Sequence, residues 1–282
     1  MTRTPQRLVL VALAAVGASL LLVVAVTRWG TPSDEHAYWL AAQRLLAGQP
    51  LYDLAATSVT PYAYWYPPIV AQVLAPIAAV LPSMAFSALW TVLMLGSLWF
   101  LAGRNVLVAL TMCAFPPVAV EFWFRNVHLI LAALLVLGLR WSGGWFSIGA
   151  AIKLAPVLGI PYLALRGRWR DAALATGLGA AMLIVSVLLA PDAWRQFFEI
   201  LVARGPGDAS GFLPVPYAAR LIAGLVLMVV AARIEPRFGE PLLVVAVVVA
   251  LPTLWFTALA TLAAIVPLVR MPRQQPQPGL MA

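Results

Sequence analysis

From Leu8 to Val269 the chain is a succession of apolar runs separated by short polar breaks. The candidate spans are Leu8–Thr27, Ile69–Leu81, Met84–Ala102, Asn105–Ala119, Val127–Leu139, Gly144–Leu165, Asp171–Ala190, Pro216–Ala232, Pro241–Leu251 and Leu254–Val269. Runs such as Leu8–Val26 and Pro241–Leu251 are apolar on every face, as a helix in lipid is, whereas a membrane β-barrel alternates polar and apolar residues. The pattern predicts an all-α, polytopic membrane bundle of about ten helices. Residues 1–270 form its single domain, and the Gln-Pro-Gln-Pro tail at 271–282 reads as disordered. Several runs fall short of the roughly 20 residues of a full crossing, so flanking aromatics, breaks or burial among neighbours must make up the difference.

The polar breaks set the orientation. Arg3 and Arg7, the dense Arg166-Gly-Arg-Trp-Arg170 loop, and Arg233 with Arg237 all fall on one side if the spans alternate, and that side is expected to be cytoplasmic. The long loops 28–68 and 191–215 then face outward. Pro252 divides the last apolar stretch, and two short helices joined there would return Arg270 and the C-terminus to the cytoplasm. At the other end, Leu8–Val26 is longer than a signal-peptide core and reads as an uncleaved first span.

Composition agrees with the pattern. Of 282 residues 63% are apolar and 10% charged, enough apolar residues for about nine crossings. The 18 basic residues against 10 acidic ones sit in short loops without a continuous patch, which speaks for membrane orientation and against nucleic acid. Cys113 is the only cysteine, so neither a disulfide nor a paired-thiol metal site is expected. No phosphate-cradling glycine loop or His/Cys metal spacing is present, and no cofactor is implied.

The exceptions to apolarity carry the candidate chemistry. In the first outer loop Ser33 is placed to cap a helix with Asp34 and Glu35 in its first turn, where acids suit the helix dipole, and Gly48 to end it. With Tyr38, Trp39, Leu45 and Leu46 this helix is expected at the membrane interface, as is a second around Trp194, Phe197 and Phe198. Lys153, the sole lysine, falls inside an apolar run ahead of Pro156. A cation there costs roughly 2.5–3.5 kcal/mol and needs an anion or polar cavity, so it is either functional or paired with Glu121. Simple alternation puts Glu121, Arg125, Asn126 and His128 on the cytoplasmic side; a broken or re-entrant fourth helix would bring them to the outer cavity.

Several ordered motifs resemble glycosyltransferase family 87. They are Asp34-x-x-x-Tyr38, Gly48-x-x-Leu-Tyr-Asp53, Tyr66-Pro-Pro68 with Pro76, and Lys153-Leu-Ala-Pro156 ahead of the Arg166–Arg170 loop. Two motifs depart from the family. Arg125-Asn-Val-His128 stands where the family has Gly-Gln-Val-Asn, and Pro252-Thr-Leu-Trp255 lacks the family's later histidine, replaced by Thr257. The resemblance implies a GT-C fold and an inverting transfer of a hexose, mannose first, from a polyprenyl-phosphate sugar to a glycolipid or glycan acceptor outside the cell membrane. It implies Asp34 as general base, as an ionised carboxylate needing no shifted pKa, and Lys153 with Arg125 as ligands of the lipid-phosphate leaving group. Tyr38, Tyr66, Asn126, His128 and Trp255 become further substrate-binding positions. The competing class is a non-catalytic membrane protein, a lipid or solute transporter or a degenerate glycolipid-binding subunit.

Overall fold

Uninterrupted apolar sequence gives the longest helices, and each break in it has a visible cause. The computed structural model describes residues 3–28, 30–56, 60–204, 211 and 214–270, and all elements among them are helical. Helix α1 (Arg3–Arg28) leads to the pole of the bundle that carries the first outer loop, where Arg28 donates to Ser33 Oγ (3.2 Å). Helix α2 (Asp34–Leu46) begins there, ends ahead of Gly48 at φ +64°, and α3 (Pro68–Val80) runs antiparallel to it.

The pairing of α2 with α3 is held by polar side chains. Trp39 Nε1 donates to the Leu81 carbonyl (3.0 Å) and the Gln43 amide to that of Ala78 (2.6 Å), so α2 satisfies the C-terminal carbonyls that α3 leaves open. His36 Nδ1 lies 2.9 Å from Ser83 Oγ just beyond α3. Both ends of α3 therefore touch the first outer loop. The second apolar run, expected as a crossing, stays at this pole.

Helix α4 (Ser83–Leu101) runs to the opposite pole, where Phe100 meets Trp141. The chain climbs back through α5 (Val106–Cys113) and α6 (Pro116–Phe124), bent by 86° where Pro116 and Pro117 offer no N–H to continue the first helix. Helix α7 (His128–Arg140) descends again.

The sixth run is not a crossing either. Helix α8 (Gly144–Ile152) stops because Pro156 lacks an N–H and its ring excludes the Ile152 carbonyl. A 3-10 turn (Ala155–Leu158) and α9 (Gly159–Leu165) then fold back along α8. The two arms touch at Gly143 with Leu163, Phe146 with Gly159, and Gly149 with Pro156; a Cβ on Gly159 would stand 2.1 Å from the Phe146 ring. Both ends of this V lie at the lower pole, the one opposite the outer loops, where Arg166 donates to the carbonyls of Ala232 (3.3 Å) and Ile234 (2.9 Å). Lys153 sits at its tip in extended backbone, φ −140° and ψ 134°.

Helix α10 (Trp169–Leu189) ascends to α11 (Pro191–Arg204), which belongs to the second outer loop. That loop packs on the first: Leu51 N–H donates to Gln196 Oε1 (2.9 Å), and the rings of Tyr52 and Phe197 are 5.7 Å apart. Helices α12 (Tyr217–Arg233) and α13 (Pro236–Val249) follow as an antiparallel pair. Arg220 donates to the carbonyls of Leu251 (2.5 Å) and Pro252 (2.7 Å), closing the break at Pro252. A 3-10 segment (Phe256–Ala264) and α14 (Ile265–Arg270) then return to the lower pole, where Arg140 pairs with Glu240 (3.1 Å) and donates to the Leu268 carbonyl (3.1 Å).

Among the described residues three helices are long and apolar enough to cross a membrane, Gln6–Arg28, Ser83–Leu101 and Trp169–Leu189, and a fourth span arises if the bent α5–α6 pair is one. A 13-residue helix such as α7 rises about 20 Å, short of the roughly 30 Å hydrocarbon core. With the second and sixth runs folded back, ten apolar runs are not ten crossings. The tail at 271–282 and most of the stretch 205–213 in the second outer loop lie outside the described residues.

Candidate active site

The site forms where four chain breaks converge: the start of α2, the lead-in to α3, the turn between α6 and α7, and the tip of the α8–α9 V. Asp34 is the first residue of α2. Ser33 stands at the N-cap position, yet its hydroxyl donates to the Trp123 carbonyl (3.2 Å) and does not cap α2. What holds Asp34 is Asn126, whose Nδ2 donates to Asp34 Oδ2 at 2.5 Å.

Asn126 is placed by an unusual turn. Arg125, at φ +48° and ψ +48°, takes the left-handed conformation that ends α6, a position a glycine fills without cost. Its guanidinium donates to the Thr31 carbonyl and lies 3.3 Å from Glu35 Oε1, while Ser87 Oγ donates to the same carboxyl (2.5 Å). Glu35 is fully buried by these contacts. It is thus an interior ion-pair partner as well as a first-turn acid, and Arg125 ties the α6–α7 turn to the outer loop.

Tyr66 joins the two halves of the site. Its hydroxyl donates to Asn126 Oδ1 (3.1 Å) and accepts from Tyr38 (2.8 Å), and its ring faces Lys153 Nζ at 5.5 Å, within cation–π range. Lys153 Nζ lies 2.8 Å from His128 Nε2, and His128 Nδ1 lies 3.0 Å from Glu121 Oε2. The pairing of Lys153 with Glu121 therefore runs through His128. The broken fourth helix does bring Glu121, Arg125, Asn126 and His128 to the outer-loop pole.

Exposure sorts the expected residues. Asp34, Tyr66 and Lys153 keep part of their surface open, whereas Tyr38, Arg125, Asn126 and His128 are buried behind them. Trp255 is at the N-cap position of the Phe256–Ala264 segment and is 41% exposed. Glu121, absent from the expected site residues, is fully buried within it; an acid in an apolar run seven residues before a histidine was the available signal.

Asp34 is not an ordinary surface carboxylate. Burial pushes its pKa up to about 6; the Asn126 hydrogen bond and the Lys153 charge oppose the rise, and the charges of Glu121 and Glu35 add to it. Among the described residues no group of three or more His, Cys, Asp or Glu could hold a metal ion. The arrangement can remove a proton at Asp34 and stabilise an anion at Lys153 on either side of Tyr66.

An all-helical membrane bundle with a partly open acid and cation on either side of a buried amide at one pole defines the class. The family model of glycosyltransferase family 87 matches residues 64–282, and the chain belongs to that family. Membership indicates glycosyltransferase activity in a membrane setting. The match includes Tyr66, Asn126, His128, Lys153 and Trp255, and Asp34 lies ahead of it. No curated protein and no solved structure matches the chain.

Proposed function

We propose that the protein transfers a hexose, mannose first, from a polyprenyl-phosphate sugar to a lipid-linked or envelope glycan acceptor, with inversion at the anomeric carbon. The observation that carries this reading is the meeting of Asp34 and Lys153 around Tyr66, each delivered by a different element and each partly open. Asn126 holds Asp34 Oδ2, which leaves Oδ1 to take the acceptor hydroxyl's proton. The acceptor oxygen bonds to the anomeric carbon as the bond from that carbon to the phosphate oxygen breaks, and the phosphate leaves with the electron pair.

Lys153 meets that developing charge with a fixed cation. Arg125, turned towards Glu35, serves in this reading to hold the outer loop over the site. The donor's tail would stay in lipid, with the site on the extracytoplasmic face of a GT-C-like cell-membrane bundle and both termini in the cytoplasm. Reconstituted protein given polyprenyl-phosphate mannose and a lipid acceptor should release the polyprenyl phosphate and yield an inverted glycoside. Asp34→Asn should abolish transfer; full activity in that variant would remove Asp34 as the base.

A further inference from the structure

The three groups Glu121, His128 and Lys153 form a line of hydrogen bonds whose donors and acceptors are not interchangeable. The His128 backbone N–H can only donate, and it donates to Glu121 Oε1 at 2.5 Å. Glu121 Oε2 lies 3.0 Å from His128 Nδ1, and His128 Nε2 lies 2.8 Å from Lys153 Nζ. A lysine ammonium has donors and no acceptor, so Nε2 must accept and the ring proton must sit on Nδ1. Glu121 is then an acceptor at both oxygens. Glu121 and His128 are both fully buried, so no water competes for these positions.

We propose that Glu121 is a positioning residue: by gripping the His128 backbone and ring together it fixes the Nδ1–H tautomer, which turns Nε2 into the acceptor that aims Lys153. This rests on the reading of Lys153 as the cation that meets the leaving phosphate. Lys153 stands in extended backbone at the tip of the V, between the apolar side chains of Ile152 and Leu154, with His128 Nε2 on its ammonium and the Tyr66 ring beside it. Replacing the carboxylate by an amide of the same shape separates charge from geometry. In Glu121→Gln the His128 backbone N–H still claims the amide oxygen, so the amide NH₂ would face Nδ1 and force the ring proton to Nε2. Two donors would then confront each other across 2.8 Å.

The test uses the full-length protein in lipid nanodiscs with ¹⁵N-labelled histidine, His36→Gln separating the two signals. Wild-type His128 should show the Nδ1–H tautomer, and Glu121→Gln should convert it to Nε2–H. In the transfer assay Glu121→Gln should lower kcat about 100-fold, the loss of one fixed electrostatic contact, with the acceptor KM little changed. Glu121→Asp, which keeps both acceptor oxygens, should restore the Nδ1–H tautomer and at least about tenfold of the rate. An Nε2–H tautomer in the wild-type protein, or wild-type kcat in Glu121→Gln, overturns the proposal. Absence of transfer in the wild-type protein would instead sink the glycosyltransferase reading of Lys153, while the tautomer measurement still decides whether Glu121 locks His128.

Discussion

Asp34 shows how far a single residue's chemistry depends on its surroundings. A carboxylate raised to about 6 is half protonated at that pH, so a base at this position is lost below it and present above it. The pH profile of kcat/KM should therefore rise through about pH 6 and then level off until the next group titrates. Asn126 donates to the ionised form, and removing it strips away a stabilising bond; in Asn126→Ala the rising limb should move to higher pH. An unmoved limb would mean that another group sets it.

Arg125 poses a contest of magnitudes. Its left-handed backbone costs about 1–2 kcal/mol, which glycine would relieve, but Arg125→Gly leaves Glu35 buried without its cation, worth roughly 3–5 kcal/mol. The loss is larger, so Arg125→Gly should lower the unfolding temperature in detergent. Arg125→Gly combined with Glu35→Gln should recover part of it.

At the scale of elements, the V of α8 and α9 delivers Lys153, and its arms are in contact because Gly159 has no side chain. Gly159→Ala would press a methyl group into Phe146, an overpacking of about 1–3 kcal/mol that also displaces the tip. Phe146→Leu in the same chain should restore stability and activity together; stability without activity would show that the tip moved independently of the arms. Part of this was legible in the sequence. Pro156 marks the break and Lys153 marks the need for a polar neighbour, as Pro116-Pro117 marks the bend below Glu121. Which way the chain goes after each break was not legible, because proline forbids continuation without choosing a direction. The direction comes from remote partners, such as Trp39 and Gln43 on the end of α3.

For the whole molecule, two poles of opposite character emerge. Arg140, Arg166, Arg168 and Arg237 gather at one, and both outer loops with Asp34 at the other. Cys113 is the only cysteine and is buried, so single cysteines at the exposed positions Asp53, Asp192, Trp169 and Arg237 report sidedness cleanly. The first two should react with an impermeant maleimide in intact cells and the last two only after permeabilisation. Labelling of Asp53→Cys and Arg237→Cys from the same side would overturn the two-pole arrangement.

Counting alternations along the chain placed the basic loops at one pole and, by the same count, Glu121 to His128 there too. The structure keeps the first placement and changes the second. The α3 hairpin with α2 and the V of α8 and α9 each remove one crossing, one before the α6–α7 turn and one after it, so the turn changes pole while the Arg166–Arg170 loop does not. The sequence by itself determined the all-helical membrane class, the break points and the identity of the sparse charged groups, because apolar run length and proline chemistry act locally. The tertiary structure alone decided that Asp34, Asn126, Tyr66, His128 and Lys153 share one place. Their contacts span up to 92 residues and depend on how breaks fold back, which only the packing of neighbouring helices sets.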